Sequence, residues 1–326
     1  MNAVAAAPTL LVHGGAGAIR RDMDADIEQA VREALAEALR RGHAVLAAGG
    51  SALDAAAAAV VVLEDAPCFN AGHGAVFTHD GINELDAAIM DGATLRAGAV
   101  AGVRHVRNPV LLARAVMEHS PHVMLAGEGA EAFAREQDIP LVDPEYFRTE
   151  HRWRELQSAQ HQANRNQPVD HFGTVGAVAL DAQGRLAAAT STGGMTDKRW
   201  GRIGDSPVIG AGTYANAACA MSGTGWGEFY IRTAAAHAVC MRVAAMRQSV
   251  DEAAEAVVNQ EIPALGAAVV RSCWAPTARS RCRSTPMACS AAMSATMANR
   301  AWRSGRTSAY SVADVQVMRG SATIGA

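Results

Sequence analysis

The sequence has no excess of charge of either sign: 29 lysines and arginines stand against 32 aspartates and glutamates, a formal net charge of −3. That leaves no electrostatic footprint for nucleic acid or an anionic membrane surface. No apolar run reaches membrane-spanning length without interruption. The opening "MNAVAAAPTLLVHGG" lacks the positive n-region of a signal peptide, which predicts a cytoplasmic protein. The six cysteines, Cys68, Cys219, Cys240, Cys273, Cys282 and Cys289, show neither paired metal spacing nor a framework pattern, and read as reduced thiols. No strong internal repeat is present. What remains is 326 residues, half of them hydrophobic, enough to bury a substantial core as one large domain or two ordinary ones.

"TLLVHGGAGAI" reads as a strand entering a glycine-rich turn. Interleaved acids, bases, alanine and leucine from Met23 to about Ala48 predict a long amphipathic helix. "GGSALDAAAAAVVVLED" predicts a packed apolar helix, capped by Ser51 with Asp54 reaching back. "LRAGAVAGV" is a strand, and Asn108 before Pro109 starts a helix. From Pro144 to Asp170 the chain turns polar, and its second half is expected to be exposed and mobile. "TVGAVALDAQGRLAAATST" then gives two strands joined at "DAQG", "SPVIGAGTYANAACAMSGTG" more strand, and "WGEFYIRTAAAHAVCMRVAAMRQS" and "VDEAAEAVVNQEI" helices. Helices first, a cuttable polar stretch, then a strand pair predicts layered sheets with helices outside.

The junction "HFGTVGAVALD" puts Gly173 and Thr174 at the mouth of a buried strand. On its own the pair is an ordinary turn glycine and a β-branched strand residue. It also suits a chain that is cut there. A threonine hydroxyl is a poor nucleophile without a base. Breaking the bond after Gly173 would give Thr174 its own α-amine, whose pKa of roughly 7.7–8.0 leaves part of it unprotonated near neutrality. Glycine at the preceding position tolerates the strain such a step needs. In "ATSTGGMTDKRWGRIGDSP", Arg202 can fork onto a carboxylate and Asp205 can receive an ammonium group, so together they suit the head of an amino acid; a surface salt bridge is the alternative. "MSGTGWGE" places Thr224 and Gly225 in a tight turn whose N–H groups can face an oxyanion, or in an ordinary glycine turn.

"LLVHGGAGAI", "FNAGHGAVFT", "LDAAIMDG", "NPVLLARAVME", "GTVGAVALDAQGRLAAATSTGGM", "GRIGDSPVIGAGTYA" and "GTGWGEFYIR" together resemble the plant-type L-asparaginases, or isoaspartyl peptidases, of the N-terminal-nucleophile hydrolases. The match runs in order from about Leu10 to Leu265. It implies an α+β fold, the αββα four-layer sandwich, cut into an α subunit (residues 1–173, with a linker from about 151 to 173) and a β subunit whose core spans 174–265, the pairs assembling as a dimer. It implies that Thr174 is the nucleophile exposed by cleavage after Gly173 and that Thr192 assists it. Arg202 would bind the substrate α-carboxylate and Asp205 the α-amine, while Thr224 and Gly225, with Asn70, would form the oxyanion hole. No cofactor enters the implied chemistry. A structural sodium ion would be wrapped by the main-chain carbonyls of Leu63, Glu64, Ala66, Phe69, Ala71 and His73, oxygens that suit a hard cation. The implied reaction cleaves L-asparagine to aspartate and ammonia, and hydrolyses β-aspartyl dipeptides, through a β-aspartyl ester on Thr174.

After Glu261 no acid appears until Asp314, and the stretch has neither helical nor strand period, so it predicts no strand pair. An arginine-rich nucleic-acid tail is one reading, which its proline, tryptophan and cysteine make awkward; the preferred one is a reading frame slipped by one base near Gly266. With G/C-rich codons for Ala268 through Ala292, restarting each codon at its old third base gives "GGAIVLGPDGAIALPFDADGMFRG", similar to the family's closing hairpin. Residues 266–326 are then an aberrant tail. Three rivals follow: a glycosylasparaginase-like relative with the same threonine logic, a catalytically silent homologue damaged at its C-terminus, and a nucleotide-binding protein. The last rests on "HGGAGAI", which lacks the third glycine of a dinucleotide fingerprint and the Lys-Ser/Thr of a P-loop.

Overall fold

The computed structural model describes residues 7–15, 24–163, 173–266, 270–276 and 315–319. Strand β1 (Thr9–His13) is followed by α1 (Ala25–Ala47) and α2 (Ala52–Asp65). Along α1 the buried residues Val31, Leu35, Ala38, Leu39, Gly42 and Leu46 recur at helical spacing, a stripe that faces the core. Gly42 lets the helix close in: a Cβ there would lie 2.5 Å from Leu10 and 2.8 Å from the Ala55 carbonyl. Helix α2 is apolar nearly all round, and the Ser51 hydroxyl caps it, accepting from the Asp54 N–H at 3.1 Å while donating to the Asp54 carboxylate at 2.7 Å.

Strands β2 (Leu85–Asp91) and β3 (Ala97–Val103) precede α3 (Pro109–His119). Asn108 starts α3, but its side chain does not cap it; it binds Asp65 at 3.1 Å, and the Val110 N–H is met instead by Glu64 Oε1 at 2.9 Å. After β4 (Met124–Ala126) and α4 (Gly127–Glu136) comes α5 (Glu150–Ala163). Of the second half of the polar stretch, expected to be exposed and mobile, the part up to Ala163 is helical and largely exposed, and residues 164–170 lie outside the described residues. Leu156 and Ala159 are buried, Trp153 stacks edge-on against Phe77 at 5.3 Å, and Arg152 Nε binds the Gly74 carbonyl at 2.9 Å. These few anchors hold a helix too polar overall to announce itself.

Strands β5 (Val175–Leu180) and β6 (Leu186–Thr192) form the expected pair, with Asp181 holding the turn through the N–H groups of Gln183 and Arg185, both at 3.0 Å. Strands β7 (Thr213–Ala215) and β8 (Cys219–Gly225) follow, then α6 (Gly227–Thr233), α7 (Ala235–Met246) and α8 (Val250–Ala254). The single helix expected after Trp226 is broken at Ala234, which takes φ +47.

Seven strands make one sheet, ordered β10-β1-β5-β6-β2-β3-β4, and three make another, β7-β8-β9, where β9 is Val270–Pro276 and β10 is Val315–Arg319. Composition predicts no strand pair in the tail, yet the main chain of β9 pairs antiparallel with β8 and that of β10 with β1. Both tail strands satisfy main-chain groups of strands that would otherwise be edges, a demand any sequence can meet. The rest of the proposed aberrant tail lies outside the described residues.

Every residue of β5 and β6 is buried, because the large sheet is covered on both faces. Alternate residues divide between the two sides. Val175, Ala177, Ala187 and Ala189 join the cluster under α1, α2 and α3; Val178, Leu180, Leu186 and Ala188 join Ala220 of β8 in a second cluster between the sheets. Met221, Cys219 and Val239 belong to a third, between the small sheet and α7 and α8. The α+β class expected from the sequence holds. The even-numbered residues of β5, β6 and β8 look into the space between the sheets, and the candidate site opens at its end.

Candidate active site

Thr174 immediately precedes β5 and is buried. Its Oγ1 lies 2.7 Å from the Gly173 carbonyl oxygen and 3.2 Å from Thr192 Oγ1. Thr192 Oγ1 is 3.1 Å from the same carbonyl oxygen and accepts the Gly194 N–H at 2.9 Å. Asn70 Nδ2 donates to the Gly173 carbonyl at 3.0 Å and to the Gly194 carbonyl at 2.8 Å, while its Oδ1 accepts the Val76 N–H at 3.0 Å. With each face of the carboxamide engaged, Asn70 cannot turn away. The Gly173 carbonyl thus faces two donors besides Thr174 itself, Asn70 Nδ2 and Thr192 Oγ1, the arrangement that stabilises negative charge developing on oxygen. Glycine is required at 173, because a Cβ would lie 2.7 Å from that of Asn70.

Arg202 and Asp205 reach the same cleft from the glycine-rich segment after β6, together with Gly173, Thr174, Thr192 and Gly225. Asp205 is buried, and its Oδ2 has no hydrogen-bond partner among the described residues. Burial pushes its carboxyl up to about 7; Arg202 opposes the shift, and Glu228 and Asp86 add to it. Arg202 itself is engaged. Its Nε and Nη2 fork onto the Glu228 carboxylate at 3.0 and 3.1 Å, so a carboxylate already occupies the guanidinium. Arg202 in turn holds the Glu228 carboxyl below its ordinary value, against the opposing and larger effect of burial.

Gly225 lines the cleft at φ +145, a backbone conformation that favours glycine. Thr224 stands beside it at the end of β8, buried, with its carbonyl accepting from Tyr230 at 3.2 Å. Of the residues predicted from the sequence, six line one cleft, while Asn70 and Thr224 form part of the wall behind it. A poised hydroxyl, a polarised peptide carbonyl, a cation and an uncompensated buried acid converge there. The sequence model of the asparaginase family matches residues 6–298.

The chain belongs to the asparaginase family. It is 52% identical over 268 residues to an isoaspartyl peptidase from Escherichia coli strain K12, covering 79% of this chain and 83% of that protein. An isoaspartyl peptidase/L-asparaginase from Mus musculus is 46% identical over 253 residues, 77% of this chain and 76% of its own. One of the same description from Homo sapiens is 42% identical over 272 residues, 81% and 87% respectively.

In this asparaginase-family chain the loop predicted to hold a cation leaves the end of α2. The His73 N–H closes it onto the Glu64 carbonyl at 2.7 Å; the carbonyls of Leu63 and Ala66 accept from Ala66 and Phe69 at 3.4 and 3.3 Å. Carbonyls of Pro67 and Phe69 converge beside Gly74, where a Cβ would lie 2.4 and 2.8 Å from them. That cradle of neutral oxygens is kept open by a glycine. Pro67 was not among the predicted ligands, and no group of His, Cys, Asp or Glu side chains among the described residues could hold a metal. Sequence reasoning also missed Glu228, which no local pattern marks, and the close approach of "HGG": a Cβ on Gly15 would lie 2.6 Å from the Thr174 nitrogen.

Proposed function

We propose that this chain is an autoprocessing threonine amidohydrolase that cleaves L-asparagine to aspartate and ammonia and hydrolyses β-aspartyl dipeptides. One observation carries the reading: the Thr174 hydroxyl lies against a Gly173 carbonyl already bound by Asn70 and within reach of Thr192. In the processing step Thr174 Oγ bonds to the Gly173 carbonyl carbon and the peptide C–N bond breaks, the nitrogen taking up a proton. The product is an ester, which water hydrolyses to leave Gly173 as a carboxylate and Thr174 with a free α-amine. In turnover that amine takes the hydroxyl proton as Oγ attacks the side-chain carbonyl of the substrate. The proton passes to the departing ammonia or amino acid, and water then cleaves the β-aspartyl ester.

Arg202 receives the substrate α-carboxylate, which displaces Glu228, and Asp205 receives the ammonium group. Thr224 and Gly225 serve the oxyanion, with Asn70 available once Gly173 has left. The family members compared above are named isoaspartyl peptidase or isoaspartyl peptidase/L-asparaginase, which supports both substrates. The αββα four-layer reading is supported by the three clusters filling three successive interfaces. We further assign α and β subunits, 1–173 and 174 onward, a dimer of such pairs, and a sodium ion held by the carbonyls of Leu63, Glu64, Ala66, Phe69, Ala71 and His73. No helix among the described residues is long and apolar enough to cross a membrane. The cysteines described, Cys68, Cys219 and Cys240, are free thiols, which suits the cytoplasm.

The test is mass spectrometry of the purified chain after incubation, with Thr174→Ala beside it. Two fragments, the second beginning Thr-Val-Gly-Ala, and an intact, inactive variant are expected. An uncut wild type without hydrolase activity, or a Thr174→Ala variant that hydrolyses asparagine at the normal rate, refutes the assignment.

A further inference from the structure

Beneath the cleft lies a second polar layer that the proposed reaction does not use. His13, the last residue of β1, is buried, and its Nε2 is 2.8 Å from Ser222 Oγ. Ser222 Oγ is 2.7 Å from Thr190 Oγ1, which is 2.7 Å from Thr213 Oγ1, and Thr213 reaches the Ser206 carbonyl at 2.9 Å. All of these side chains lie between the two sheets, in a space otherwise filled by Val178, Leu180, Ala188 and Ala220. Isolated polar groups are costly there, and a continuous string is what makes their burial tolerable.

The string has a regular relation to the cleft. A strand repeats its facing every two residues, and two members, with Gly176 beside them, stand one such step below a residue of the site. Thr190 is two before Thr192, Ser222 two before Thr224, and Gly176 two after Thr174, while Ser206 adjoins Asp205. Gly176 supplies the opening. A Cβ on it would lie 2.0 Å from Ser222 Oγ and 2.4 Å from His13 Nε2, so the strand carrying the nucleophile has no side chain just where the two meet. The Thr174 main chain lies against the imidazole and favours its protonated form, but Nδ1 makes no well-aligned hydrogen bond, and burial lowers the ring to about 4, so it stays neutral. A neutral ring in contact with both Thr174 and Ser222 is a strut, not a proton acceptor that competes with the amine.

We propose that His13 is a positioning residue for Thr174, tying the nucleophile's strand through Ser222 and Thr190 to the strands that carry Thr192 and Thr224. The inference rests on Thr174 being the nucleophile, and the experiment separates the two. His13→Phe keeps the ring and removes its hydrogen bonds; His13→Gln keeps a polar atom where Nε2 stands; Ser222→Ala removes the partner with the loss of one oxygen. Thr174→Ala is assayed alongside, and thermal stability is recorded for every variant.

His13→Phe and Ser222→Ala are each expected to lower kcat for asparagine about tenfold, the scale of one misplaced hydrogen bond. KM should hold, since Arg202 and Asp205 are untouched. The double variant should lose no more than the worse single, because both remove the same link, and His13→Gln should recover most of the rate. Unchanged kcat in Ser222→Ala and in a folded His13→Phe, with Thr174→Ala inactive, overturns the role of His13 and leaves the nucleophile standing. Losses that simply add and track the fall in Tm, with no recovery by glutamine, overturn it too. An active Thr174→Ala overturns the reading beneath it. Should His13→Phe fail to fold, Ser222→Ala and His13→Gln decide alone.

Discussion

Asp205 makes the pH dependence of substrate affinity a sharp test of the site. Burial holds its carboxyl at about 7, and in the proposed role only its ionised form would pair with the substrate ammonium. With that value, about nine tenths of the free protein is competent at pH 8 and about one tenth at pH 6. Apparent affinity falls with the competent fraction. KM for asparagine should therefore rise about tenfold between pH 8 and pH 6, where the amino group of asparagine stays charged. In the proposed reaction the α-amine left on Thr174, with an ordinary value of roughly 7.7–8.0, would govern kcat instead, so the two parameters would report different groups. Ammonia release measured at half-unit steps gives both profiles. Asp205→Asn should raise KM at every pH and abolish its slope. A flat wild-type KM, or the same slope in the asparagine variant, would refute the reasoning. The stability effect has the opposite sense: a raised carboxyl stabilises the fold fully below its unfolded value, and that contribution is lost as pH rises through about 7.

Asn70→Ala should slow chain breakage by about 10²–10³-fold, the usual cost of one oxyanion donor; the half-time of fragment appearance on a denaturing gel measures it. Glu228→Gln removes the carboxylate that competes for Arg202 and should lower KM by up to about fivefold, the value of a partly exposed ion pair, with kcat unchanged. Gly176→Ala should cost about 1–3 kcal/mol by overpacking, read as a lower Tm in thermal melts, since its Cβ would meet Ser222 and His13. A chain restored to the alternative frame after Gly266 should melt higher and turn over faster than the present sequence, and equal stability and activity in both would dispose of the frame slip.

The candidate nucleophile, Thr174, could be singled out in the sequence because its setting is local: a glycine, a threonine and a strand of buried apolar residues all fall within one short run. The motif match pointed to Arg202 and Asp205, which line the cleft with Thr174, and to Asn70, which binds the Gly173 carbonyl. Glu228 was invisible because its role exists only where α6 brings it back to Arg202, 26 positions away. Asn108 before Pro109 marked the start of α3 correctly but gave no sign that the Val110 N–H is met by Glu64 from another helix. Helix α5 hid behind its polarity, since among its described side chains Leu156 and Ala159 are the only buried apolar ones. His13 had a faint signal, a histidine closing an apolar strand, and its partners Thr190 and Ser222 follow from counting by twos back from Thr192 and Thr224.

The order of the large sheet bears on what the proposed break after Gly173 would do to the molecule. β1, from before the break, lies between β10 and β5, and β6 lies beside β2, so the two pieces are woven through one another like the fingers of clasped hands. Neither piece can leave without tearing hydrogen bonds along a full strand. The proposed cleavage would give Thr174 a new chain end without loosening the frame around it, and the separated pieces, made independently, would each present the raw edges that the other normally covers.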